Sequence, residues 1–172
     1  MNDWQAIVDE HGSNLWRTVF RLLNHHHDAL DCCQEVLLDA FQYASKSTVT
    51  EWGALFTCFG TRRAIDRIRQ RIRDRRVTVP LESVPEPSGG DDVAVLRAEV
   101  SEAMQRLREV LAELPNKQAE AFWLACVEGL SHDQISTELG VSQNESRVLV
   151  HRARSRLKAI LDKTQPIGGK ET

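Results

Sequence analysis

Residues 131–158 read SHDQISTELGVSQNESRVLVHRARSRLK, and two helix starts are written into them eleven residues apart. Ser131 with Gln134, and Ser142 with Glu145, each have the form of a capping box, in which two side chains satisfy backbone N–H groups left open at a helix start. Gly140 lies between the boxes, where a glycine can take the left-handed conformation that ends a helix. The spacing predicts helices over His132–Leu139 and Gln143–Leu161 joined by Gly140, Val141 and Ser142, which is a helix-turn-helix. On the second helix Val150, Ala153, Leu157 and Ile160 or Leu161 are spaced to face a core. Arg147, His151, Arg154 and Lys158 line another side, and no acid occurs from Arg147 to Lys158. With Gln143 at its leading end, this is the pattern a recognition helix presents to the major groove of DNA. A solvated bundle helix would share the basic stripe but has no need of the paired caps.

The 172 residues carry a net charge of −3, which sits oddly with DNA until it is divided along the chain. Residues 62–76 hold eight arginines and two aspartates, whereas residues 77–146 hold thirteen acids and four bases. Two basic patches therefore lie in an acidic body, and phosphates respond to the local field within about 8–10 Å. No apolar run approaches membrane-spanning length, and MNDWQAIVDEHG lacks the basic start and apolar core of an export signal. The expectation is a cytoplasmic protein with no membrane insertion. Cys32, Cys33, Cys58 and Cys126 follow no zinc-finger spacing and read as reduced thiols. His25, His26 and His27 beside Cys32 or Cys33 are adjacent on a turn and cannot easily converge on one ion, so neither metal nor cofactor is expected. No nucleophile elbow, phosphate loop or catalytic dyad occurs at a recognisable spacing, which argues against an enzyme.

Helical periodicity breaks at residues 77–92, VTVPLESVPEPSGGDD, where three prolines and two glycines fall among acids. Before it, helices are predicted near Asp3–Leu23, Asp28–Ser45 and Glu51–Arg75. After it comes Val93–Leu114, then a helix with Pro115 in its first turn that runs to about Glu128. The expected fold is all-α: a helical domain over 1–76, a flexible linker over 77–92, a helix-turn-helix domain over 93–165 and a tail over 166–172. In the second helix Leu30, Cys33, Leu37, Ala40 or Phe41, and Ala44 form an apolar stripe read as core. Asp31, Gln34, Glu35 and Leu38 share a different face, acidic with one apolar residue, suited to docking a partner helix. The third helix carries Trp52, Leu55, Phe56, Phe59, Ile65, Ile68 and Ile72 on its apolar side and arginines over much of its second half. Mutual repulsion in such a cluster is relieved by a polyanion, and nucleic acid is the natural one.

Residues 28–35, DALDCCQE, and 64–69, AIDRIR, together with LAELP at 111–115, Gln118, EGLS at 128–131, Ile135, LGVS at 139–142 and HRAR at 151–154, resemble bacterial RNA polymerase sigma factors of the sigma-70 family, extracytoplasmic-function type. The resemblance covers nearly the whole chain. It implies that Asp31, Gln34, Glu35 and Leu38 contact core RNA polymerase. It implies that Lys46, Ser47, Thr48, Trp52, Arg62, Arg63, Arg67 and Arg69 engage the minus-ten element of promoter DNA. It further implies that Ser142, Gln143, Asn144, Arg147, His151, Arg152 and Arg154 engage the minus-35 element, with Gln143, Asn144 and Arg147 near its bases and His151, Arg152 and Arg154 near phosphates. An anti-sigma protein is a third partner that the resemblance implies. Four residues depart from the family pattern: Leu55 where tryptophan is usual, Arg62 for asparagine, Ser146 for an apolar residue and Leu149 for a basic one. The competing reading is a stand-alone helix-turn-helix regulator whose N-terminal helices sense a ligand or dimerise. It leaves the second basic surface and the acidic docking face without a use.

Overall fold

Asp3 accepts a hydrogen bond from the Ala6 N–H and opens the first of seven helices: α1 (Trp4–Leu23), α2 (His26–Ala44), α3 (Trp52–Val77), α4 (Asp92–Glu113), α5 (Asn116–Cys126), α6 (His132–Leu139) and α7 (Gln143–Thr164). The computed structural model describes residues 3–77 and 92–164, and among these every regular element is a helix. The segment read as a linker has its two ends, Val77 and Asp92, in helices; residues 78–91 and the tail 165–172 lie outside the described residues. Among the described residues no helix is long and apolar enough to cross a membrane.

Helix α3 is the hub. It packs against α1 and α2 on one side and against α4, α5 and α6 on the other. Leu55, Phe56, Ile65 and Ile68 are buried as their spacing predicts, with Trp52, Phe59 and Ile72 packed beside them. Gly60 lets α1 approach, because a Cβ there would lie 2.8 Å from Leu15 Cδ1. Cys58 and Thr61 are also fully buried, since α3 is covered from two directions.

The stripe read as the core of α2 is displaced by one residue. Ala29, Cys32, Val36 and Ala40 are buried, Cys33 and Leu37 flank them, and Leu30 and Phe41 are exposed. Small side chains permit close packing on α1 and α3, so the larger neighbours are left at the margin. α2 also starts two residues earlier than expected, because His25 Nδ1 accepts from the Asp28 N–H at 3.4 Å and caps it. α5 ends at Cys126 rather than near Glu128, and Pro115 precedes its first turn as the N-cap. Both halves contribute to one apolar cluster, in which Leu111, Ala119, Trp123 and Ala153 join Leu15, Leu22 and Ile65.

Candidate nucleic-acid interface

The helix-turn-helix forms from its local chemistry. Ser131 Oγ accepts from the Gln134 N–H at 3.2 Å while Gln134 Oε1 accepts from the Ser131 N–H at 3.0 Å. The second box repeats this, with Ser142 Oγ accepting from the Glu145 N–H at 3.1 Å and Glu145 Oε2 accepting from the Ser142 N–H at 2.7 Å. The Ser142 backbone N–H holds the Glu145 carboxyl below its ordinary range. Gly140 takes φ 61°, and its N–H donates to the Ser136 carbonyl. Val150, Ala153 and Leu157 are buried, with Ile160 rather than Leu161 completing the inward row. Ser142, Gln143, Asn144, Arg147, His151, Arg152 and Arg154 are all exposed. Gln143 Nε2 donates to Asp133 Oδ1 at 2.8 Å and Arg154 Nη2 reaches Cys126 Sγ at 3.2 Å, so both ends of this face are held in place.

A second site lies where α2, α3 and the loop between them meet α1. Lys46, Ser47, Thr48 and Trp52 line a cleft of about 650 Å³ together with Trp4 and Phe41. The Trp4 ring stands edge-on to Phe41 at 5.3 Å and to Trp52 at 5.6 Å. Apolar ring surface beside a lysine and two hydroxyls is the chemistry that holds an unstacked base and its phosphate. Sequence reading missed Trp4 and Phe41, because neither periodicity nor motif shows that α1 places its first residue beside this loop.

The arginines of α3 are not bare. Arg63 Nε and Nη2 both donate to Asp39 Oδ2, at 2.9 and 2.5 Å, and Arg67 Nη2 donates to Glu35 Oε1 at 2.7 Å. Arg71 pairs with Asp28 and also donates to the Leu23 carbonyl. With Asp66, Arg69 and Arg73 they border a basin of about 560 Å³. The repulsion that a polyanion was expected to relieve is thus relieved here by the chain's own carboxylates and carbonyls. Arg62 turns the other way, toward the C-terminal helices, and Arg69 reaches both ways, meeting Asp66 Oδ1 at 3.4 Å while donating to the Ala112 and Leu114 carbonyls and to Asn116 Oδ1. Arg62 Nε donates to Glu120 Oε2 at 3.2 Å. Burial raises the pKa of the Glu120 carboxyl, and the Arg62 charge works against that.

Asp31, Gln34 and Leu38 are exposed on α2, and Leu38 is 63% accessible, the most exposed large apolar side chain described. Glu35 shares their face but is held by Arg67. Of the three consecutive histidines, His25 caps α2, and His26 sits edge-on to Trp16 at 5.1 Å and to His27 at 6.0 Å.

Residues 7–77 match the family Sigma-70 region 2, and residues 104–157 match Sigma-70, region 4. The ECF RNA polymerase sigma factor SigL of Mycobacterium tuberculosis is 30% identical over 154 residues, which are 87% of this chain and 83% of SigL. The chain belongs to the extracytoplasmic-function sigma factors of RNA polymerase. This sigma factor is also 29% identical over 166 residues to SigE of Mycolicibacterium smegmatis, covering 95% of the chain but only 63% of SigE's length. In fold it is similar to the sigma factor RpoE of Bartonella quintana, solved with the anti-sigma factor NepR, at a TM-score of 0.55 and 22% identity over 96% of this chain and all of that one. It is likewise similar to CnrH, solved with the cytosolic domain of CnrY, at 0.59 and 18% over 94% and 89%.

The structure accounts for three of the four departures in this sigma factor. Ser146 is fully buried, and its hydroxyl meets His132 Nδ1 at 2.9 Å, tying the two helices of the reader where an apolar contact is usual. Leu149 packs against the cluster of Ile135, Leu139 and Val150, so its position looks inward and has no call for a cation. Arg62 finds its partner in Glu120. Leu55 is simply core.

Proposed function

We propose that this sigma factor binds core RNA polymerase and directs transcription initiation at specific promoters, acting in the cytoplasm and performing no catalysis of its own. Residues 1–76 serve as the domain that meets core polymerase and the minus-ten element, and 93–165 as the domain that reads the minus-35 element. Asp31, Gln34, Glu35 and Leu38 dock on polymerase. Lys46, Ser47, Thr48 and Trp52, with Trp4 and Phe41, take up extruded bases, and Arg62, Arg63, Arg67 and Arg69 follow the strand's phosphates. Gln143, Asn144 and Arg147 meet base edges in the major groove, while His151, Arg152 and Arg154 contact phosphates. An anti-sigma protein is a further partner in this proposal, as NepR is for the structurally similar RpoE.

The observation that carries the proposal is that one chain holds both an exposed reading helix and, far from it in sequence, the aromatic and lysine-lined cleft. A stand-alone regulator has a use for the first and none for the second. The test is co-elution of the purified chain with core polymerase on a sizing column. Leu38→Asp should abolish it, because a charge replaces the apolar centre of the docking face without touching the core. Co-elution of both proteins unchanged would refute the docking assignment.

A further inference from the structure

Helix α7 buries one side and presents the other outward, and an apolar residue stands at the centre of the outward side. Successive residues on a helix are turned by about 100°, so Ser146 and Val150 each lie about 160° around α7 from Val148. Both are buried, as are Ala153 and Leu157 further along the same inward row, whereas Val148 is 40% accessible. It belongs to neither apolar cluster described, although its neighbours Leu149 and Val150 join one of them. The residues one turn away on the outward side are polar and exposed: Asn144 and Glu145 before it, His151 and Arg152 after it. Glu145 is committed to the Ser142 N–H at 2.7 Å. Valine is a poor choice for a helix surface that meets only water. Its branched Cβ loses side-chain freedom in a helix, and here no packing against the core offsets that.

We infer that Val148 seats against the C5 methyl of a thymine in the promoter's minus-35 element and selects that base. The inference rests on the reading of the protein as a promoter-directing factor and adds a specificity-determining residue to it. Among the groups that base pairs present in the major groove, the thymine methyl is the apolar one, and the rest are hydrogen-bond donors and acceptors. A recognition helix meets the groove with its outer face, and Val148 is turned furthest from the core on that face. No acid occurs from Arg147 to Lys158, so phosphates draw this face in along its flanks and the isopropyl group comes to face base edges. A polar edge opposite it would lose water and gain no hydrogen bond in return, which disfavours the other three bases. Side chains one turn apart on a helix have Cβ atoms about 5–6 Å apart, and base pairs are spaced by about 3.4 Å. The thymine therefore lies within about two base pairs of the base that Asn144 meets.

Deleting one methyl group from the DNA reads this contact and leaves the hydrogen bonds in place, because uracil keeps the O4 acceptor of thymine and lacks only the C5 methyl. The probe is a promoter fragment recovered by run-off transcription with core polymerase and this protein. It is resynthesised as a series of duplexes in which each thymine upstream of the start site, on either strand, is replaced in turn by deoxyuridine. At one thymine of the upstream element the replacement should weaken binding of the protein with core by about fourfold, the effect of one buried methyl-sized group. Val148→Ala should bind the thymine duplex about fourfold more weakly than the parent and show no response to uracil at that position. Its melting temperature should equal or exceed the parent's, since alanine is the better helix former; a lower one would make Val148 a packing residue and overturn the inference. A parent indifferent to every uracil replacement would overturn the contact. A loss that persists undiminished in Val148→Ala would give the methyl to another residue and overturn the role of Val148. If core polymerase with this protein yields no promoter fragment, the initiation reading itself fails and the contact falls with it, an outcome distinct from indifference to the methyl.

Discussion

Replacing Gly60 with alanine tests how α3 is positioned, and with it the placement of every arginine on that helix. A Cβ at Gly60 would stand 2.8 Å from Leu15 Cδ1 and 3.1 Å from Val19 Cγ2. Neither side chain has room to retreat, because Leu15 is 1% and Val19 0% accessible. Overfilling a packed core costs about 1–3 kcal/mol, and alanine's better helix propensity returns about 1 kcal/mol of that. The expected net loss is about 1 kcal/mol at the middle of that range, which lowers the Tm of a chain this size by about 2–4 °C. Gly12 supplies the contrast. Its added Cβ would meet Val8 Cγ1 at 3.6 Å, an ordinary contact within α1, so Gly12→Ala should stabilise by about 0.5–1 kcal/mol. Circular dichroism melts and urea midpoints at constant m-value measure both. If Gly60→Ala melts at or above the parent temperature, α1 and α3 do not approach as closely as described and the reasoning fails.

Leu38→Ala should weaken association with core polymerase and leave the melting temperature within about 1 °C, since an exposed side chain contributes little to stability; a matching loss of Tm would make Leu38 structural. Glu35→Lys should reduce both binding and stability, because it also strands Arg67, and a purely functional loss by titration calorimetry and melting would contradict the pair. Arg147→Ala should cost about 1–3 kcal/mol in binding a promoter duplex if the contact is bidentate to guanine; an equal loss on every DNA sequence in a fluorescence anisotropy series would make it a phosphate contact. Glu145, held below its ordinary range, contributes to the start of α7 above the unfolded carboxyl value of 4.5, and the contribution is lost as pH falls through the lowered folded value. An NMR titration placing its midpoint at or above 4.5 would refute this.

What the sequence shows well is what short-range chemistry decides. Ser131, Gln134, Gly140, Ser142 and Glu145 act on backbone groups within four residues, so α6 came out to the residue and the start of α7 with it. Periodicity fixes that a helix is amphipathic but not the direction from which its neighbours approach. Leu30 and Phe41 therefore looked like core on α2, whereas the close approach of α1 and α3 selected Ala29, Cys32 and Ala40. The arginines show the same boundary. Their density is legible in the sequence, yet Glu120 lies 58 residues from Arg62 and Asn116 47 from Arg69, and no local pattern links them. Trp4 reaches the cleft lined by Lys46 and Trp52 across a comparable separation. Ser146 departs from the pattern of its helix, and the partner that accounts for it, His132, stands on the preceding helix.

Run-off transcription from fragmented genomic DNA, with core polymerase alone and with this protein added, tests the central claim most directly. The account predicts discrete new start sites that appear only with the protein and that are lost when Arg147 and Trp52 are both replaced by alanine. An unchanged set of transcripts, from a preparation that co-elutes with core, would contradict it.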